Sequence, residues 1–120
     1  MDEYKLCESD YRFMCVIWEN EPLTSRALVE KCNLKLGWKK STTYTVLKKM
    51  CEKGIAVNNE STVSALVRKE AVQSYASTHF VEHTFDGSLP GFLTAFFGGK
   101  RISEKEAEEL KALIDNYKEE

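Results

Sequence analysis

No stretch of this chain approaches the roughly 18 to 20 consecutive apolar residues that span a bilayer. The acidic start Met1-Asp2-Glu3 is also unlike the basic opening of a secretory leader. A cytoplasmic protein without a membrane partner is expected. Cysteine is sparse: Cys7, Cys15, Cys32 and Cys51 show no C-x-x-C or C-x-C spacing. Reduced thiols are the simplest reading, since a metal or redox switch would need them to converge in space. Catalytic signatures are missing as well. The chain has no Gly-x-Ser-x-Gly, no phosphate-cradling glycine loop and no spaced carboxylate pair with a reason to be buried together. Neither an enzyme nor a cofactor is expected. The 2 histidines, His79 and His83, fall in His79-Phe80-Val81-Glu82-His83, which places them on one helix face and spells the inverted zinc-protease motif. Such an enzyme needs a third ligand and a larger fold. A structural or surface pair is therefore expected, with His79 and His83 only weak candidates for a regulatory metal.

Net charge is small, −2 over 120 residues, but it is unevenly placed. Residues 1–70 carry 12 Lys and Arg against 10 Asp and Glu, a net of +2, and residues 71–120 carry 5 against 9, a net of −4. The segment from Lys31 to Lys53 holds 7 lysines and a single acid, Glu52, a net of +6. Positive charge concentrated on one segment matters more for phosphate binding than the total, because each neutralised phosphate releases counterions.

Within that segment, Trp38 to Met50 predicts an amphipathic helix beginning near Lys40. Val46, Leu47 and Met50 recur at helical spacing and can face a core. Lys40, Ser41, Thr42, Thr45, Lys48 and Lys49 form a polar, cationic face without an acid. That face suits the major groove, and the helix start offers unpaired N–H groups to a phosphate. A helix merely solvated by its lysines is the alternative. The flanks favour the first reading. Thr24 is a good N-cap for a helix whose Ala27, Leu28 and Cys32 form an apolar stripe. Ahead of it, Ser9 is the expected cap of a helix over residues 10–20, with Phe13, Met14, Ile17 and Trp18 on its buried face and Pro22 ending it. Beyond Lys53-Gly54, residues 55–58 and 62–67 predict two strands joined by the polar turn Asn58-Asn59-Glu60-Ser61. Three helices and a hairpin make a winged helix-turn-helix over residues 1–70, mainly α with a small β-hairpin wing. The residues expected to meet double-stranded DNA are Lys39, Lys40, Ser41, Thr42, Tyr44, Thr45, Lys48 and Lys49. Tyr44 either reaches the DNA backbone through its hydroxyl or packs under the wing.

Residues 71–120 predict a helical region rich in apolar side chains, broken by turn signals at Asp86-Gly87, Pro90-Gly91 and Gly98-Gly99. About fifty residues are too few to bury that surface alone. A twofold dimer would cover it, with Tyr75, Phe80, Phe85, Phe92, Phe96, Leu110, Leu113 and Ile114 at the shared core. Packing back onto the winged helix of the same chain is the alternative. Ser103 and Glu106 predict a capping box at the start of the last helix, which turns Ala107, Leu110, Leu113 and Ile114 inward.

The order Trp18, Leu23-Thr24, Trp38, Ser41-Thr42-Thr43-Tyr44-Thr45-Val46-Leu47 and Lys53-Gly54 resembles the penicillinase-repressor family, which includes methicillin-resistance and copper-transport repressors. Phe92-Leu93 to Phe97, Ile102-Ser103-Glu104-Lys105-Glu106 and Leu110 resemble that family's last two helices. The resemblance runs from about Ser9 to Tyr117. It implies a homodimeric repressor on a promoter inverted repeat. Three departures matter. Family wings often carry a basic residue, and this turn has none, so wing contacts to DNA are expected to be weak. Antibiotic-responsive relatives are inactivated by a partner protease between asparagine and phenylalanine, and the matching pair here is Ala95-Phe96. The asparagine is missing, so cleavage by that protease is not expected, although a cut at Ala95-Phe96 would still sever part of the dimer region. Copper-sensing relatives carry a cysteine pair near the C-terminus, and this chain has no cysteine after Cys51. A protein-docking winged helix and a metal- or ligand-responsive regulator remain the rival readings.

Overall fold

The computed structural model describes residues 4–119. Helix α1 spans Glu8–Asn20, strand β1 Leu23–Thr24, α2 Ser25–Leu36 and α3 Lys40–Glu52. Strands β2 (Ala56–Asn59) and β3 (Thr62–Ala65) follow, and then α4 (Lys69–Phe85), α5 (Leu89–Phe97) and α6 (Glu104–Tyr117). The chain is mostly helical, with a three-stranded antiparallel sheet in the order β1-β3-β2. It is a winged helix followed by a helical region. Two compact units divide between Phe80 and Val81, inside α4.

The first unit closes around one core. Phe13, Met14 and Ile17 from α1, Leu28 and Cys32 from α2, Met50 from α3, Ile55, and Val63 from β3 are all fully buried. Each such side chain contributes on the order of 1.5–3 kcal/mol through area removed from water. Helix α1 differs from expectation at its start. Ser9 lies inside the helix, and Cys7 holds the N-cap position without a side-chain cap bond. The first-turn acids Glu8 and Asp10 suit the positive end of the helix in place of a hydroxyl cap. At α2 the expected cap forms, with Thr24 Oγ1 accepting from the Ala27 N–H at 3.0 Å.

Strand β1 was not expected. Its two residues pair antiparallel with β3, Leu23 opposite Val63 and Thr24 opposite Thr62. The wing itself is a two-residue hairpin, with Asn59 opposite Thr62 closing a loop of Glu60 and Ser61. Both loop residues take left-handed backbone, φ 51° and 68°, as a primed turn demands.

In the second unit, Phe85 packs edge-on against Phe92 at 5.5 Å between centroids, and Phe92 lies 6.1 Å from Phe96. Ser88 caps α5 and Ser103 caps α6, accepting from Gly91 N–H at 2.9 Å and Glu106 N–H at 3.0 Å. No residue of α5 or α6 is buried. Leu113 and Ile114, expected to turn inward, are 51% and 55% exposed within the single chain.

Candidate nucleic-acid interface

The position of α3 is set by the three residues that precede it. Helix α2 ends in an αL closure, with Gly37 N–H donating to Asn33 O and Trp38 N–H reaching Cys32 O. Gly37 sits at φ 70°, where a Cβ would be strained. Trp38 then stacks on Phe13 with centroids 5.7 Å apart and planes 9° from parallel, so an aromatic pair anchors the entry to α3. Lys39 is the N-cap and offers no side-chain bond. The first-turn N–H groups of α3 are therefore left for solvent or a ligand, beside a positive dipole end.

Thr43, Leu47 and Met50 form the buried underside of α3. Thr43, fully buried, donates its hydroxyl to Lys39 O at 3.3 Å. Burial pushes the Cys32 thiol up, and the neighbouring Thr43 hydroxyl only partly offsets it. The opposite face exposes Lys39, Lys40, Ser41, Thr42, Tyr44, Thr45, Lys48 and Lys49. All eight residues singled out in the sequence are thus exposed on α3 or at its cap. Thr45 already spends its proton, donating to Ser41 O at 2.9 Å. Outward it offers a methyl group and oxygen lone pairs, which fits a thymine methyl or an exocyclic amine on a base edge. Tyr44 lines an open groove of ≈ 490 Å³ between α3 and the wing, with Lys48, Cys51, Val57 and Leu66. Lys40 sits 6.0 Å from its ring centroid.

The lysines are not equivalent. Lys49 Nζ pairs with Asp10 Oδ2 of α1 at 2.8 Å, and Lys35 Nζ with Glu19 Oε1 at 3.0 Å. Lys53 donates to the backbone oxygen of Lys5 at 2.7 Å. Among the described residues, Lys39, Lys40 and Lys48 make no salt bridge. The charge free to meet phosphates is thus smaller than the +6 of the segment. Asp10 escaped the sequence reading, although a signal was present. It shares the spacing of Phe13, Met14 and Ile17 on the apolar face of α1, and a carboxylate there requires a partner.

Trp18 of α1 and Glu21 just beyond it hold the wing and its exit, and of the two only Glu21 carried no expectation from the sequence. Glu21 Oε1 accepts from Ala65 N–H at 2.8 Å, and Trp18 Nε1 donates to Val67 O at 2.9 Å. The wing tip, Asn58 to Ser61, is exposed and carries no cation. On α4, the His79 ring stacks against Tyr75 at 5.6 Å, and Tyr75 meets Tyr4 edge-on at 6.3 Å. Among the described residues no three His, Cys, Asp or Glu side chains gather as a metal ligand set. No described helix is long and apolar enough to cross a membrane.

No curated protein matches the sequence. The family model described as penicillinase repressor matches residues 6–116, nearly the whole chain. The chain belongs to the penicillinase-repressor family of transcriptional repressors.

Proposed function

We propose that this protein is a sequence-specific DNA-binding repressor that acts as a homodimer on an inverted-repeat operator. The observation that carries the reading is the two-sided character of α3. Its underside, Thr43, Leu47 and Met50, is buried in the core, and its outer face presents Lys40, Ser41, Thr42, Thr45 and Lys48 beside an uncapped helix start. Thr42 and Thr45 stand nearest the bases, and the lysines meet phosphates. A wing tip that carries an acid, Glu60, and no cation leaves α3 as the main contact. Residues 1–70 serve as the DNA-binding part and residues 71–120 as the dimerisation part. The exposed Phe80, Phe96, Leu113 and Ile114 support a shared apolar core with a second copy. Tyr75, Phe85, Phe92 and Leu110 complete that set. A regulatory protease cutting at Ala95-Phe96 would open the last turn of α5 and release the operator, and mass analysis after incubation with a candidate protease reads the cut directly.

A twofold dimer must find its half-sites about one helical turn, or a multiple, apart. Duplexes carrying one half-site, two half-sites, or two half-sites with about half a turn inserted separate the cases. Binding of the intact repeat, with loss on both changes, is the expected result. Equal binding to all three would refute the dimeric repressor.

A further inference from the structure

Asp10 is 4% exposed, and its carboxylate lies in the first turn of α1 with Lys49 Nζ at 2.8 Å. A carboxylate so buried keeps its charge only with a partner, and every buried side-chain N or O atom among the described residues has one. Lys49 stands in the last turn of α3, one residue after Lys48, yet the two face different neighbours. Lys48 lines the groove toward the wing, and Lys49 turns to α1. The hydrogen bond and the charge of Asp10 both raise the Lys49 pKa, in line with the 2.8 Å contact.

We propose that Asp10 is a positioning residue for DNA reading: it holds Lys49 against α1, fixes the C-terminal turn of α3 in the frame, and withholds one cation from the phosphates. The inference rests on α3 being the DNA-contacting helix. It divides the adjacent lysines by role. Lys48 contributes to the electrostatic grip on any duplex, and Lys49 contributes to the angle at which α3 is presented. Withholding a cation lowers the sequence-independent part of binding to any duplex.

The test is the salt dependence of duplex binding for the full chain, for Lys48→Ala, for Asp10→Asn, and for the double variant Asp10→Asn with Lys49→Met. The double variant removes both charges together, so no orphaned carboxylate is left to unfold α1. Circular dichroism confirms the fold of each. One phosphate contact changes the slope of log affinity against log salt by about 0.9, or about 3.5-fold in affinity between 50 and 200 mM salt. Lys48→Ala should flatten the slope by that amount. Asp10→Asn frees Lys49 and should steepen it by about the same amount, with tighter binding to a random duplex at low salt. The double variant should keep the parental slope. A double variant flattened as much as Lys48→Ala would overturn the proposal, because Lys49 would then already be a phosphate contact in the parent. An Asp10→Asn slope equal to that of the parent would overturn it too. A parent without any salt slope, or a Lys48→Ala variant that changes nothing, would instead remove the DNA-contact reading of α3.

Discussion

Replacement of Thr45 tests base reading at the point where the geometry is most specific. The hydroxyl proton is already donated to Ser41 O, so Thr45 can offer a base edge only its methyl group and its oxygen lone pairs. A single contact of this kind is worth about 1–2 kcal/mol of discrimination, at the lower end of what a wrong base pair costs. That corresponds to roughly 5- to 30-fold in relative affinity. Thr45→Ala removes both features and should lower operator affinity by that factor, with little change on random DNA. Thr45→Val keeps the methyl group and Thr45→Ser keeps the oxygen. Whichever variant retains preference therefore identifies a thymine methyl or an amino group as the target. Competition binding on operators with single base-pair changes supplies the assay. Equal loss on operator and random duplexes for Thr45→Ala would remove Thr45 from base reading and leave it a helix-surface residue.

Four further outcomes follow from other parts of the fold. Leu113→Glu with Ile114→Glu places charge on an exposed apolar face of α6 and should shift sedimentation from dimer to monomer without loss of helicity; an unchanged dimer would put the interface elsewhere. Glu60→Asn with Ser61→Gly relieves left-handed backbone at the wing turn, where an ordinary side chain costs about 1–2 kcal/mol. Thermal unfolding should then rise by roughly 4–8 °C per kcal/mol regained, and a fall would mean that the side chains make contacts worth more than the strain. Thiol labelling of the native protein should modify exposed Cys7 first and buried Cys32 last. Burial raises the Cys32 and Cys51 thiols above their ordinary 9.0, so the folded state holds protons that the unfolded chain releases. Stability should therefore fall as pH rises beyond about 9, and less steeply in Cys32→Ala; identical alkaline curves would contradict the buried assignment.

Much of this arrangement is legible in the residues because local rules and the core agree. Thr24 caps α2, the apolar spacing of α1 and α3 marks their buried sides, and Lys53-Gly54 ends α3. What escaped depends on partners distant in sequence. Strand β1 has two residues, too few to show a period, and exists because Leu23 can pair with Val63. Its register also explains the wing. Val63 is fully buried beside Leu23, which leaves Glu60 and Ser61 in the turn although the neighbouring asparagines tolerate left-handed backbone better. The cap at Ser9 failed for a related reason. Packing of Asp10, Phe13 and Ile17 sets where α1 starts, and a hydroxyl two residues from the actual cap cannot move it. Lys49 shows the same limit within the interface. Composition and helical spacing put it with Lys48, and only the fold shows that Asp10 occupies it.

The most direct test of the account is binding of the purified protein to a duplex from its own promoter region carrying an inverted repeat, set against a scrambled duplex at several salt concentrations. Selective, dimeric binding with a steep salt slope is the predicted result. No preference for the repeat together with no salt slope would contradict it, and would mean that the lysine and threonine face of α3 serves a partner other than DNA.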